Sequence, residues 1–372
     1  MSLSGPRVER LEVSAYTVPT DYPESDGTLQ WDSTTMILVE AHGGGRKGLG
    51  YTYGDVSVGR FVESKLAGVA EGSDALSPPA VWARMQAAIR NAGRPGVGAM
   101  AVSAVDIALW DLKARLLGLP LADALPRFHA EVPVYGSGGF TSYPLRRLQE
   151  QLGGWAAAGI PRVKMKVGRE PEKDPERVRA AREAIGESVE LMVDANGAYT
   201  RKQALYWAGA FAREAGISYL EEPVSSEDRE GLRLLRDRGP GGVAIAAGEY
   251  EWTLPQLHDL AGCVDILQAD VTRCGGITGL LRVDGICRGH QIPFSAHCAP
   301  AVSAHACCAV ESLLHLEYFH DHARVERLLF DGTLDPEGGS LRPDPDRPGL
   351  GLELKRSEAG KYAAEGHHHH HH

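Results

Sequence analysis

The chain of 372 residues contains no run of 18 apolar residues, so no transmembrane helix is expected. Its start, Met1-Ser2-Leu3, leads into no basic stretch followed by an apolar one, which argues against a secretory leader. Cysteine is scarce: Cys263, Cys274, Cys287, Cys298, Cys307 and Cys308, with no C-x-x-C pair among them. That spacing argues against a structural zinc site, and the apolar neighbours suggest buried, reduced thiols in a cytoplasmic protein. Cys298 follows His297 and is the one thiol placed to line a site, although packing is the simpler role. Positive charge is short as well. Lys and Arg number 39 against 49 Asp and Glu, a net charge of −10, which argues against a general nucleic-acid or anionic-membrane binder. A small anionic ligand is unaffected by this balance, because a metal or a few lysines can set the local field. A phosphate loop is missing too. Gly43-Gly44-Gly45 and Gly48 precede neither a helix nor a Gly-Lys-Ser/Thr, so they read as a turn leading into Gly50-Tyr51-Thr52-Tyr53.

Apolar residues make up 43% of the chain, enough for a sizeable core, and the length allows two domains or one large barrel with additions. Val8 to Thr17 and Thr34 to Ala41 alternate as strands, and the glycine turn after them suggests an antiparallel meander. Helical segments follow at Pro79 to Asn91 and Ala99 to Leu117. The second places Ala101, Ala104, Val105, Ala108, Leu109, Leu112 and Leu116 on one face, and Gly118-Leu119-Pro120 stops it. Strands followed by helices make an α+β unit, placed at residues 4–128. Residues 129–330 alternate β and α, and 331–364 read as a Pro-, Gly- and Asp-rich segment returning over the first unit. Residues 365–372 end in His367 to His372 and read as an appended affinity tail, excluded from all metal reasoning.

In the alternating region, charged residues close one short apolar run after another. Lys164 and Lys166, Asp194, Glu221, Glu249, Asp270, His297 and Glu317 recur at intervals of about 20–28 residues, close to one strand plus one helix. Eight strand candidates alternate with helices at Arg146 to Ala158, Asp174 to Ile185, Arg201 to Ala215, Ser226 to Arg236, Leu254 to Ala261, Ile277 to His290 and Ala301 to Ser312. A β/α barrel builds one site in this way, from the ends of many strands. Asp194, Glu221 and Glu249 on successive strand ends would give an all-oxygen site with room for water and a ligand. A lone carboxylate there would read as a helix cap or ion-pair partner; three in phase favour Mg²⁺, with Mn²⁺ as the alternative.

Asp194-Ala195-Asn196-Gly197, Glu221-Glu222-Pro223, Gly248-Glu249, Lys164-Met165-Lys166, Asp270 with Gly275-Gly276-Ile277, and His297 together resemble the enolase superfamily, and within it the mandelate racemase subgroup. The likeness covers nearly the whole chain. Ala108-Leu109-Trp110-Asp111-Leu112-Lys113 with Gly118-Leu119-Pro120-Leu121 is similar to the segment that ends that family's capping domain. The muconate-lactonising and dipeptide-epimerising subgroups carry a lysine at the sixth strand end. Cys263 to Ile277 contains none and has Asp270 instead. The resemblance implies an α/β fold: a modified TIM barrel, (β/α)₇β, under an N-terminal α+β cap. It also implies metal-assisted abstraction of the proton α to a carboxylate.

Within that frame Lys166 is the expected base on one face of the substrate. Lys164, two residues earlier, shares its side of the strand, and a second positive charge with a nearby cation should bring the Lys166 pKa toward neutral. His297 is the expected base on the other face, with Asp270 fixing its tautomer. Glu317 resembles the family acid that hydrogen-bonds the substrate carboxylate, and to donate it must be protonated. Asn196 is the expected contact to a substrate hydroxyl, and Glu222 orients the ligands without being one. In this family the specificity loops come from the cap, here near Thr20 to Trp31 and Gly50 to Asp55. Tyr22 and Tyr53, with Lys164, Glu317 and His320, are therefore expected to contact a small carboxylate substrate. A packing role for His320 and His322 is the competing reading. Bases on both faces suit an acid-sugar dehydratase giving a 2-keto-3-deoxy acid. They also suit a racemase or epimerase of a 2-hydroxy acid, and a non-catalytic binding relative is the reading from another class. A symmetric homo-oligomer is the expected assembly.

Overall fold

The computed structural model describes residues 5–364; the leader reading at the first residues and the affinity tail lie outside them. Three antiparallel strands open the fold: β1 (Val8–Ser25), β2 (Gln30–Gly43) and β3 (Arg46–Tyr53), in that order across the sheet. The segment expected as a loop, Thr20 to Trp31, is instead the far end of a hairpin arm. Its pairing slips between Pro19 and Glu24, where two prolines remove ladder donors, and this hides the strand from an alternation reading. Asp26 closes the arm, with Oδ1 accepting the Thr28 and Leu29 N–H groups at 2.8 Å each.

Helix α1 (Pro78–Ala88) packs on α2 (Val97–Leu117), which backs the sheet together with an unanticipated helical stretch over 57–70. The turn between β2 and β3 uses Gly44 and Gly45 at φ 57° and 74°. Gly48, expected in that turn, lies inside β3 with Gly50, and both let the strand press against α2. A Cβ at Gly48 would meet the Leu112 nitrogen at 2.3 Å, and one at Gly50 the Ala104 oxygen at 2.3 Å. Asp111 of α2 is fully buried and accepts from Leu49 N at 2.8 Å, Leu350 N at 2.6 Å and Arg115 Nε at 3.0 Å. Asp111→Ala leaves two buried backbone donors without partners, so it is expected to cost about 3 kcal/mol in a urea titration. A loss within 0.5 kcal/mol would show that water replaces the carboxylate there.

The larger unit is a closed parallel barrel of β4 (Val132–Ser137), β5 (Arg162–Lys166), β6 (Glu190–Asp194), β7 (Tyr219–Glu221), β8 (Ala244–Ala247), β9 (Ile266–Ala269), β10 (Phe294–Ala296) and β11 (Leu313–Phe319). Neighbours pair in sequence order, and β11 pairs with β4 to close the ring. Helices α3 (Leu145–Ala157), α4 (Asp174–Ile185), α5 (Arg201–Ala215), α6 (Arg229–Arg238), α7 (Leu254–Ala261), α8 (Gly276–His290) and α9 (Pro300–Ala306) connect successive strands. Helix α9 stops well before Ser312, because the Asp284 carboxylate takes the Glu311 and Ser312 N–H groups at 3.1 and 3.0 Å and turns the chain. An extra helix, α10 (His320–Leu329), follows the eighth strand and packs between barrel and cap. Tyr135, Met192, Tyr219, Ala246 and Ile266 fill the barrel below its C-terminal rim, so the mouth has a solid floor. The segment beyond Asp331 adds Ser340–Leu341 antiparallel to β4, then bridges Pro120 through Gly349 and Tyr16 through Ala363. No helix among the described residues is long and apolar enough to cross a membrane.

Candidate active site

Register brings the charged strand ends to one level. Lys166 pairs across to Asp194, and Asp194 to Glu221, so three inward side chains from β5, β6 and β7 share a rim layer. Glu249 follows β8, Asp270 follows β9, His297 follows β10, and Glu317 lies within β11. Each reaches the mouth because it lies at or near the C-terminal end of a parallel strand of the same closed ring. All of these side chains are buried.

The three acidic groups expected to hold a metal converge: one oxygen each of Asp194, Glu221 and Glu249 lies within 4.8 Å of the others. Glu221 Oε2 and Glu249 Oε1 are buried without a hydrogen-bond partner. Burial, then the Asp194 charge beside it, pushes the Glu221 carboxyl up to about 8. Crowded carboxylates with orphaned oxygens are what a hard divalent cation relieves, and an all-oxygen set suits Mg²⁺. The turns that present them are strained. Asn196 and Glu222, each just past a ligand residue, have φ of 47° and 38°. A left-handed residue without glycine's freedom costs of order 1–3 kcal/mol. Asp194 Oδ1 holds the first turn by accepting Asn196 N at 2.8 Å.

Lys164 Nζ lies 2.6 Å from Glu221 Oε1 and 2.9 Å from Glu317 Oε2, and Lys166 Nζ lies 2.9 Å from Asp194 Oδ2. These contacts bear on two expectations. Burial alone would lower the Lys166 pKa, but the Asp194 charge overrides it and holds the ammonium well above the ordinary lysine range. The expected fall toward neutral belongs to the metal-loaded site, where a cation would draw on the Asp194 charge. Burial also works against an ionised Glu317, yet the Lys164 ammonium keeps its carboxyl well below the usual range. Glu317 Oε2 accepts the Ser137 hydroxyl at 2.5 Å.

His297 Nδ1 sits 2.6 Å from Asp270 Oδ2, the arrangement expected of an oriented imidazole. Its other nitrogen, Nε2, faces Glu249 Oε2 at 3.1 Å and Glu317 Oε1 at 3.6 Å. Asp270 Oδ1 is held in turn by Thr272 N and Oγ1, both at 2.7 Å. Lys166 on the second strand and His297 after the seventh lie nearly opposite each other around the ring, with the carboxylate cluster on the strands between.

Other expected contacts divide. Asn196 is buried with its Oδ1 unpartnered, free to take a hydroxyl, and the arm touches it where Thr28 Oγ1 donates to the Asn196 carbonyl at 3.3 Å. Tyr53 is buried with an unpartnered hydroxyl and stacks on His322 at 3.6 Å between centroids. Tyr22 is not brought in: its ring packs edge-on to Tyr143 and under the Arg147 guanidinium. His320 is not brought in either, because its Nε2 meets Asp21 Oδ2 at 2.8 Å on the outer face. Two residues further along α10, about 200° around a helix, His322 points inward instead. Burial pushes its pKa down to about 3, so it is a neutral imidazole. Cys298 Sγ lies 3.3 Å from both His297 Nε2 and Glu317 Oε1, so this thiol does line the site. Glu222 is buried with Oε2 unpartnered.

Several neighbours escaped the sequence reading. Gln268 Nε2 and the Tyr219 hydroxyl both donate to Glu221 Oε1, at 3.1 and 3.2 Å. Both sit two residues before a strand-end acid, so the strand period could have found them. Arg273 donates to the Glu249 carbonyl at 3.1 Å, and its guanidinium lies 5.6 Å from the rings of Tyr250 and Trp252. Its signal was its place three residues after Asp270.

Residues 147–359 match the family model described as enolase C-terminal domain-like, and residues 12–125 that of the mandelate racemase / muconate lactonizing enzyme N-terminal domain. The chain belongs to the enolase superfamily, in its mandelate racemase / muconate lactonizing enzyme branch. It is similar to a 3,6-anhydro-α-L-galactonate cycloisomerase of Streptomyces coelicolor, 32% identical over 96% of this chain and 99% of that protein. An L-talarate/galactarate dehydratase of Salmonella typhimurium is 30% identical over 94% of this chain and 90% of that protein. Among solved structures, a racemase from Streptomyces coelicolor A3(2) with bound magnesium aligns with a TM-score of 0.89 at 31% identity. That match covers 96% of this chain and all (100%) of that one. The Salmonella typhimurium LT2 dehydratase liganded with Mg and L-lyxarohydroxamate aligns with a TM-score of 0.88 at 28% identity, covering 97% and 94%.

Proposed function

We propose that this protein is a magnesium-dependent acid-sugar dehydratase that removes the proton α to a carboxylate and expels a β-hydroxyl. The observation that carries this is the placement of Lys166 and the Asp270-oriented His297 on either side of a buried three-carboxylate cluster. The relatives named dehydratases and the structures holding magnesium support it. Asp194, Glu221 and Glu249 would hold the cation, which when bound neutralises charge that builds on the substrate carboxylate as the proton leaves.

The chain's own groups do the rest. Lys164, buried among acids, supplies a fixed positive charge for the substrate carboxylate. Lys166 Nζ or His297 Nε2 takes the α-proton, according to the configuration at that carbon. The electron pair left on the α-carbon forms the Cα–Cβ double bond as the β C–O bond breaks. The departing oxygen takes a proton from His297 and leaves as water, and the enol tautomerises to a 2-keto-3-deoxy acid. Asp270 stabilises the imidazolium in between. Asn196 Oδ1 accepts a substrate hydroxyl. Bases on both sides also support a second reading, in which the other base returns a proton and an epimer forms without loss of water.

A panel of mono- and diacid sugars, incubated with enzyme and Mg²⁺ in D₂O, separates these readings. Dehydration gives a keto acid detectable with semicarbazide, and epimerisation gives α-deuterated substrate alone. Neither product across aldonates, aldarates and their anhydro forms would overturn both.

A further inference from the structure

Two buried residues on one face of α10 each touch the turn behind His297 and a tyrosine of the cap. His322 Nδ1 accepts the Ala299 N–H at 3.2 Å while its ring stacks on Tyr53. One helical turn on, Glu326 accepts the Ala301 N–H at 3.2 and 3.3 Å and the Tyr51 hydroxyl at 2.5 Å. Thr52, between those tyrosines on β3, points to the other side of the strand. Its Oγ1 donates to the Thr272 carbonyl at 2.8 Å, and Thr272 is the residue that grips Asp270. The last three residues of β3 thus reach both members of the His297–Asp270 pair.

That turn needs an external brace. Cys298 and Ala299, directly after His297, lie in the left-handed region at φ 56° and 44°. Such residues persist only where their surroundings over-determine them. The following helix gives some restraints, with Ser303 Oγ donating to the Cys298 carbonyl at 2.8 Å and the Val302 and Ser303 N–H groups to the Ala299 carbonyl at 3.1 and 2.9 Å; α10 holds the Ala299 and Ala301 N–H groups. Lys166 is anchored differently, within the barrel: its N–H donates to Gly139 O at 3.0 Å, and Arg177 donates to its carbonyl at 2.7 Å.

We propose that the end of β3, acting through His322 and Glu326 on one side and Thr272 on the other, positions the His297–Asp270 pair, so that this strand end sets the aim of His297 and not of Lys166. The proposal rests on His297 being an acid/base group. His322, Glu326 and Thr52 are positioning residues in it, acting through contacts already present without substrate.

The test uses the full-length protein with Mg²⁺ and two substitutions. His322→Phe keeps a ring under Tyr53 and loses the acceptor for Ala299, and Thr52→Val keeps the shape and loses the donor to Thr272. The first readout needs no substrate: the imidazole ¹⁵N resonances of His297, assigned with His297→Asn. Both variants are expected to shift or broaden them, while Tyr53→Phe, which keeps the stack, leaves them in place. The second readout is α-proton exchange in D₂O on a pair of substrates epimeric at the α-carbon. Exchange on the His297 face is expected to fall about 10–100-fold, and on the Lys166 face by less than about threefold. An unmoved His297 signal in both variants overturns the proposal, as does equal loss on the two faces. Should His322→Phe fail to fold, Thr52→Val decides alone. Because the resonance arm is independent of turnover, a wild-type protein that exchanges no acid sugar counts against the proposed reaction only.

Discussion

Lys166→Ala is expected to abolish exchange of the α-proton from one substrate epimer, by on the order of 10³–10⁴-fold, while exchange from the other epimer survives. His297→Asn should show the mirror pattern. The argument is geometric. The two nitrogens approach the cluster from strands nearly opposite in the ring, so each can reach only the hydrogen on its own side of the α-carbon. Asparagine at position 297 can still donate to Asp270, so that variant removes the proton acceptor without stranding a buried carboxylate. Overall dehydration should stop in His297→Asn even for the epimer that Lys166 deprotonates, because the leaving hydroxyl still needs an acid. Each variant is tested by the incorporation of deuterium from D₂O, read by ¹H NMR on both epimers. Loss of exchange on both faces in either single variant would mean that one group serves both, and the two-sided assignment would fail.

The mouth of the barrel was legible in the sequence because a parallel ring turns sequence position into spatial position. Each strand's end arrives at the same rim, so an acid closing an apolar run needs no further information to be placed there. Asp194, Glu221, Glu249, Asp270 and His297 all follow this rule, and α4, α5 and α7 have the limits that their periodicity predicts. What escaped depends on contacts distant in sequence. Whether His320 or His322 enters the site turns on where α10 begins and how it docks on the cap. The charge beside Glu317 comes from Lys164 on another strand, 2.9 Å away. The hairpin arm is hidden from a pattern reading because Pro19 and Pro23 interrupt the alternation that marks a strand, while pairing resumes beyond them at Glu24 with Trp31. Gly48 is ambiguous in sequence because glycine serves turns and close packing alike, and only the approach of α2 distinguishes the two.

Glu221→Gln should remove metal binding and leave the fold intact. The glutamate's Oε1 accepts from Lys164 at 2.6 Å, Gln268 at 3.1 Å and Tyr219 at 3.2 Å, and its Oε2 has no partner. A glutamine carbonyl in the Oε1 position keeps all three donors satisfied. Its amide group then occupies the Oε2 position, where it presents hydrogens to the cation in place of a lone pair. For the wild type, Mg²⁺ at a hundred times its Kd should add about 2.7 kcal/mol of stability by mass action. That gain should appear as a rise in melting temperature that EDTA reverses. In Glu221→Gln the metal-free melting temperature is expected to match that of the wild type, because the three donors to the Oε1 position stay satisfied. Added Mg²⁺ should then raise it no further. Turnover should fall by about 10³-fold or more, the loss expected when several kcal/mol of charge stabilisation at the substrate carboxylate is withdrawn. A variant with the wild-type magnesium response and full turnover would remove the acidic cluster from the mechanism and leave the two bases with no means of making an α-proton acidic enough to take.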